Sequence, residues 1–193
     1  MHKGRVELFS DGVIAVLITI LVLELHPPHG SDWEALQPLV PAFLSFVLSF
    51  IYLGIYWSNH HHLFQAASQV NGKVLWANLY ILFWLSVVPF TTGWMGENEF
   101  ATLPVALYGF DLLMAGFAYY FLERTLIAAQ GPDTRLQMAI GAEVKGWSSI
   151  GLYAAGIILT LIWTPWAGLA CYGFVALMWL IPDRRIERAL SRG

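Results

Sequence analysis

Residues 5–25, RVELFSDGVIAVLITILVLEL, decide what kind of fold this chain adopts. From Gly12 to Leu25 the only ionisable side chain is Glu24. With its polar lead-in, the run is long enough to cross a hydrocarbon core of about 30 Å as a helix. Its start is the odd feature, because Arg5, Ser10 and Asp11 crowd into the first turns and set a carboxylate at the mouth of an apolar run. An intramembrane carboxylate is costly unless something holds it. Two readings of Asp11 are therefore open: a cap at the membrane interface, where negative charge suits a helix N-terminus, or a group paired with a neighbouring helix. By depth, its candidate partners are Arg5, Trp57, His60 and Asn78.

Projected at 100° per residue, Arg5, Phe9, Gly12, Val16, Ile20 and Leu23 fall within about 40° of one line, with Thr19 at its edge. Ser10 and Asp11 point off that line on either side. The first span thus carries an apolar stripe and a separate polar anchor. Taken alone, Val, Ile and Leu along such a stripe read equally as packing against helices or lipid.

The rest of the chain repeats the signal. Of 193 residues, 58% are hydrophobic and 12% charged, with a mean hydropathy of +0.60, which excludes an ordinary soluble domain. Apolar windows at 6–25, 37–58, 74–95, 102–122, 146–164 and 166–182 predict an all-α polytopic membrane protein of six transmembrane helices. Residues 1–193 form one transmembrane domain in this reading, without linker or low-complexity tract. Stretches such as LYILFWLSVVPF are apolar on every side, which argues against a barrel of alternating strands. Lys3 and Arg5 precede an apolar run as in a signal peptide, but no small-x-small cleavage site follows, and Glu7 and Asp11 stand where a signal is neutral or basic.

All ten basic residues fall on one side of these six spans, so the positive-inside rule places both termini in the cytoplasm. The opposite connections carry Asp32, Glu34, Glu97 and Glu99. They either enrich cations at the outer face or simply supply the polar residues that the rule leaves. The cytoplasmic connection after the fourth span carries a turn at GPD, 131–133, and a short amphipathic helix from Thr134.

Three further features bear on chemistry. Consecutive histidines at 60–62 cannot converge on one ion if helical, since successive residues diverge by about 100°. TTGWMG, 91–96, faintly echoes a TVGYG carbonyl filter but follows a full span rather than a re-entrant helix, and reads as a loop. Asp111 is a second intramembrane acid, suited either to packing or to an ion path. Cys171 is the sole cysteine, so no disulfide framework exists. No Ser/His/Asp set shares one depth, no span holds paired carboxylates, and no phosphate-cradling glycine loop appears; an enzyme is not expected.

Arg5-x-x-x-Phe9-Ser10-Asp11 followed by GVIAVLITILVLEL resembles the signature of the transmembrane protein 175 family, the endolysosomal potassium channels of animals and their shorter prokaryotic homologues. WSNHHHLF, 57–64, is similar to the family's second-helix ending, and Asn78 and Pro89 match its third helix. The resemblance covers about the first 95 residues. It implies a potassium-permeable cation channel, a homotetramer in which the first helix of each subunit lines a central pore. Val16, Ile20 and Leu23 would form apolar rings, with Thr19 offering a hydroxyl nearby. Arg5, Phe9, Ser10, Asp11, Trp57, His60 and Asn78 would form the polar network that orients the helix. Val16 departs from the family's usual Ile or Leu at the narrowest ring.

The expected setting is a prokaryotic plasma membrane, with the lipid bilayer and further copies of the chain as partners. No nucleic acid, cofactor or metal is expected beyond the permeating potassium. Two other classes stay open: a proton-coupled secondary transporter using Asp11, His60 or Asp111 as a relay, and a membrane assembly protein that conducts nothing.

Overall fold

A computed structural model describes residues 2–131 and 144–180. Six long helices run through them: α1 (Lys3–Ile20), α2 (Val40–Ala66), α3 (Gly72–Glu97), α4 (Thr102–Gln130), α5 (Val144–Ile162) and α6 (Pro165–Leu180). A 3₁₀ turn, Leu21–Glu24, prolongs α1, and another, Glu34–Leu39, leads into α2. Five of the helices are long and apolar enough to cross a membrane, while α6 is a shorter apolar helix. The expected end of the sixth span at 182 lies outside the described residues.

Local chemistry explains where the helices begin and end. Pro41 sits in the first turn of α2, where its missing N–H costs nothing. Asn71 caps α3 by accepting a 3.1 Å hydrogen bond from Val74 N. Between α3 and α4 the chain reverses within a few residues: Phe100 N donates to Met95 O at 3.0 Å, and Glu99 and Phe100 take φ values of 50° and 59°. At the far end of α4, Gly131 adopts a φ of +85°, a conformation glycine enters without a Cβ penalty.

Two span ends and one motif differ from those read in the sequence. Spans expected to stop at 58 and 122 continue as helix to Ala66 and Gln130. Apolar windows end where polar residues begin, whereas backbone hydrogen bonding carries the helices on through those polar residues. TTGWMG is helix rather than loop, the last turns of α3. Its glycines serve close approach instead of a bend: a Cβ on Gly96 would lie 2.7 Å from the Ala42 backbone and 2.5 Å from Ser45 Oγ, and one on Gly93 would meet the Glu24 carboxyl. Of the GPD turn, Gly131 is described; the amphipathic helix expected from Thr134 lies outside the described residues.

Packing runs as a folded ribbon. α1 lies against α2 and α3, α3 against α4, and α4 against α5 and α6. Leu53, Val74, Ile81, Leu85, Val105, Tyr108 and Leu112 are buried at the centre. Lipid tails are as apolar as leucine, so van der Waals fit and buried polar contacts must hold such helices together. One polar seam joins α2, α3 and α4. Thr92 Oγ1 lies 2.6 Å from Val88 O, Ser49 Oγ 2.6 Å from Thr92 Oγ1, and the Tyr108 hydroxyl 3.0 Å from Ser49. Thr92 has one hydroxyl hydrogen and uses it on the Val88 carbonyl, so Ser49 donates to Thr92 and Tyr108 to Ser49.

Candidate functional site

The first helix has two faces with opposite fates. Val6, Ser10, Ile14, Leu17 and Leu21 are buried against α2 and α3, Ser10, Ile14 and Leu21 completely. The other face is left uncovered by the subunit: Phe9 is 54% exposed, Val16 55% and Leu23 71%, and Arg5, Gly12 and Thr19 are exposed with them. Ile20 is half-buried at the edge of this strip. Thr19 Oγ1 donates to its own helix at Val16 O, 2.7 Å away, so its remaining capacity outward is as an acceptor. The stripe drawn from sequence at 100° per residue lies on the uncovered side, which is broader than the stripe: Leu8 at 74% and Val22 at 51% are exposed beside it, and Leu23 is carried on the 3₁₀ turn and not on regular α-helix.

Two polar anchors fix the buried side. In the first, His60 Nε2 lies 2.7 Å from Asn78 Oδ1, Asn78 Nδ2 donates to Ser10 Oγ at 2.9 Å, and Ser10 Oγ donates to Val6 O at 2.8 Å. The direction follows from the inventory. An amide oxygen only accepts, so His60 carries its proton on Nε2 and the chain runs from α2 through α3 into the backbone of α1. All three side chains are buried, His60 at 1% and Asn78 at 2% exposure. In the second, Trp57 Nε1 donates to Asp11 Oδ1 at 3.1 Å on the more exposed flank.

The residues expected in one network thus divide into two clusters on opposite shoulders of α1. Arg5 and Phe9 join neither; both stand on the uncovered face. The histidine triplet is helical and diverges. His60 turns inward and stacks on Phe64, with ring centroids 4.6 Å apart, whereas His61 stacks beside Trp57 and meets Gln65. Among the described residues no group of His, Cys, Asp or Glu is placed to hold a metal ion.

Asp111 lies away from α1. It is buried on α4, its Oδ2 accepting from Thr91 Oγ1 at 3.1 Å, while Oδ1 has no hydrogen-bond partner among the described residues. Sequence reading missed the Ser49–Thr92–Tyr108 seam. The signal was present in α2, where Ser45, Ser49, Tyr52 and Tyr56 recur at helical spacing and are all buried. Their polarity in a span 27 residues long marks a face that must find partners.

Comparisons with known proteins bear on the same elements. A sequence profile of the family described as endosomal/lysosomal potassium channel TMEM175 matches residues 5–89, from Arg5 to Pro89. A protein named as a potassium channel from Chryseobacterium sp. (strain P1-3) is 52% identical over 191 residues, 99% of each chain. The endosomal/lysosomal proton channel TMEM175 of Gallus gallus is 33% identical over 101 residues, 46% of this chain and 20% of that one. In structure, the chain superposes with a TM-score of 0.80 and 25% identity on the crystal structure of a lysosomal potassium-selective channel TMEM175 homolog from Chamaesiphon minutus, covering 94% of this chain and 97% of the other. With a profile match across the first three helices and a relative 52% identical over 99% of each chain, the chain belongs to the TMEM175 family.

Proposed function

We propose that this protein is a potassium-permeable cation channel of the prokaryotic plasma membrane, with both termini cytoplasmic, in which four copies of α1 surround a central pore. The observation that carries this reading is the polar anchoring of one side of α1 behind a strip that the subunit leaves uncovered, in a chain whose relative is named a potassium channel. A helix with Ile14 and Leu21 at 0% exposure and Leu23 at 71% presents a complete unpartnered face, and one helix cannot enclose a path for ions. Repetition around a closed symmetry axis turns each exposed residue into a ring. Val16, Ile20 and Leu23 then form apolar constrictions, with the Thr19 oxygen one turn from the Val16 ring.

Conduction in this reading is passive. An apolar ring offers an ion nothing to replace lost water, so the barrier is dehydration, and potassium, which holds water less tightly than sodium, crosses more easily. Valine at the narrowest ring leaves more room than leucine or isoleucine and weakens the discrimination. The polar anchors act one layer behind: Ser10–Asn78–His60 and Asp11–Trp57 hold the helix that carries the rings. The names of the relatives support potassium for the bacterial branch and protons for the animal branch.

Flux into proteoliposomes driven by a potassium gradient, with parallel runs in sodium and under a proton gradient alone, tests the proposal. Fast, non-saturating potassium flux that exceeds sodium flux is expected. Saturable flux that requires a proton gradient would replace the channel with a proton-coupled transporter, and an oligomer that passes no ion would leave an assembly protein.

A further inference from the structure

We propose that Lys3, outside the family's matched segment, is a positioning residue for the pore helix: its ammonium seats the start of α1 on the C-terminal carbonyls of α2. The inference rests on the reading of α1 as the pore helix. Lys3 Nζ lies 3.0 Å from Phe64 O, 3.0 Å from Ala67 O and 3.5 Å from Gln65 O. These carbonyls sit at the end of α2, where intrahelical N–H partners run short: Phe64 O also accepts from Ala67 N at 3.1 Å, and Ala67 is the residue just past the helix. A lysine ammonium has three donors and no acceptor, and a positive charge is favoured at a helix C-terminus. The fit is therefore one of number, charge and place.

Two facts make this contact more than a surface tie. First, among the described residues His2 precedes α1 without a side-chain cap, and the first turn carries no acidic residue. Second, the chain directly after the residues that Lys3 contacts is itself held by α4. Gln130, the last residue of α4, accepts from Ser68 N at 2.8 Å and Gln69 N at 3.1 Å, and donates to Gln69 O at 3.0 Å. Lys3 thus docks α1 onto a block built by α2, α3 and α4.

Leverage follows from helix geometry. Lys3 opens the same face as Val6, Ser10, Ile14 and Leu17 by i, i+3/i+4 spacing. Ser10, bound to Asn78, is the next polar hold along that face. Beyond Ser10 the helix is held by the packing of Ile14, Leu17 and Leu21, and on the other side of Ser10 Lys3 supplies the polar hold, so that the two together set its tilt. At 1.5 Å rise per residue, Lys3 lies roughly 10 Å below Ser10 and Val16 roughly 9 Å above it. With Ser10 as fulcrum, a displacement at Lys3 appears at Val16 with similar size and opposite sense. The ring radius at Val16 is in this way coupled to a contact at the cytoplasmic end.

The experiment compares Lys3→Met, which keeps the stem and removes the donors, with Lys3→Arg, which keeps a cation, in the full-length reconstituted protein. Three quantities are read: potassium flux, the potassium to sodium flux ratio, and inter-subunit distances from spin labels on Gly12→Cys in a Cys171→Ala background. Lys3→Met is expected to change flux or ratio by about threefold to tenfold, the range of a partly buried helix-terminus charge. It should also broaden the distance distribution, and Lys3→Arg should restore most of both. Wild-type flux, ratio and distances in Lys3→Met would overturn the inference, as would equal damage from Lys3→Arg or a change in unfolding temperature alone. If Lys3→Met fails to assemble, Lys3→Gln decides by the same readouts. Val16→Ala, run alongside, separates the two ideas. If it alters conduction while the Lys3 variants do not, only the positioning role falls; if it alters nothing, the pore reading falls and this inference with it.

Discussion

Asn78 does more for the arrangement than any other polar side chain near α1, because it uses both ends of its amide. Its oxygen takes the His60 proton at 2.7 Å and its nitrogen reaches Ser10 at 2.9 Å, so α1, α2 and α3 meet on one group. Asn78→Ala removes that group and strands a buried imidazole N–H and a serine oxygen. The cost is about 1–2 kcal/mol, because stranded groups in a membrane protein recover part of what a buried orphan loses. A lower unfolding midpoint of the reconstituted oligomer, with reduced flux, is the expected result. Asp11 separates mechanisms instead. Its contact is one hydrogen bond accepted from Trp57, which an asparagine oxygen also accepts. Asp11→Asn is therefore expected to keep stability and ion flux near wild type, and Asp11→Ala to lower both. Loss of all transport in Asp11→Asn, with the oligomer intact, would show that the carboxylate's proton matters and would move the protein to the transporter class.

At the scale of the helix, small residues set how near two backbones come. A Cβ on Gly96 has the Ala42 backbone at 2.7 Å and cannot be accommodated by turning a side chain, whereas one on Gly173 meets nothing within 4 Å. Gly96→Ala should force α2 and α3 apart and destabilise the fold by about 1–3 kcal/mol. Gly173→Ala should be neutral or slightly stabilising, and thermal unfolding of the two in one detergent makes the comparison. This pair also shows where sequence reading reached its limit. Hydropathy located all six helices, and their existence depends on composition that any window detects. TTGWMG reads as a loop in the sequence because it follows a full apolar span, and the close neighbours that its glycines admit cannot be seen from one helix. The α1 stripe was legible because it is a property of one helix's periodicity. The pairing of Asp11 with Trp57, rather than with Arg5 or His60, was not legible, because it depends on how α1 is rotated against α2.

For the whole molecule, the exposed face of α1 and the large apolar exterior make opposite demands. Trp76, on α3, is 75% exposed and Leu23 71%. One subunit gives no reason to treat them differently, since either can face lipid. Symmetry separates them: if α1 lines a closed ring, residues on its uncovered strip face their own copies across a narrow axis, while Trp76 stays at the periphery. In a Cys171→Ala background, Val16→Cys should form inter-subunit disulfides on mild oxidation, because ring side chains at a constriction approach within the Cβ separation of about 3.5–4.5 Å that a disulfide needs. Trp76→Cys should not. The cross-linked Val16→Cys pore should lose potassium flux and regain it on reduction. Val16→Ala, which only enlarges the ring, should raise flux and lower the potassium to sodium ratio, because a wider apolar ring strips less water from either ion. Cross-linking at Trp76 and none at Val16 would put α3 at the centre of the assembly and α1 against lipid, and the uncovered strip would then be a membrane-facing surface.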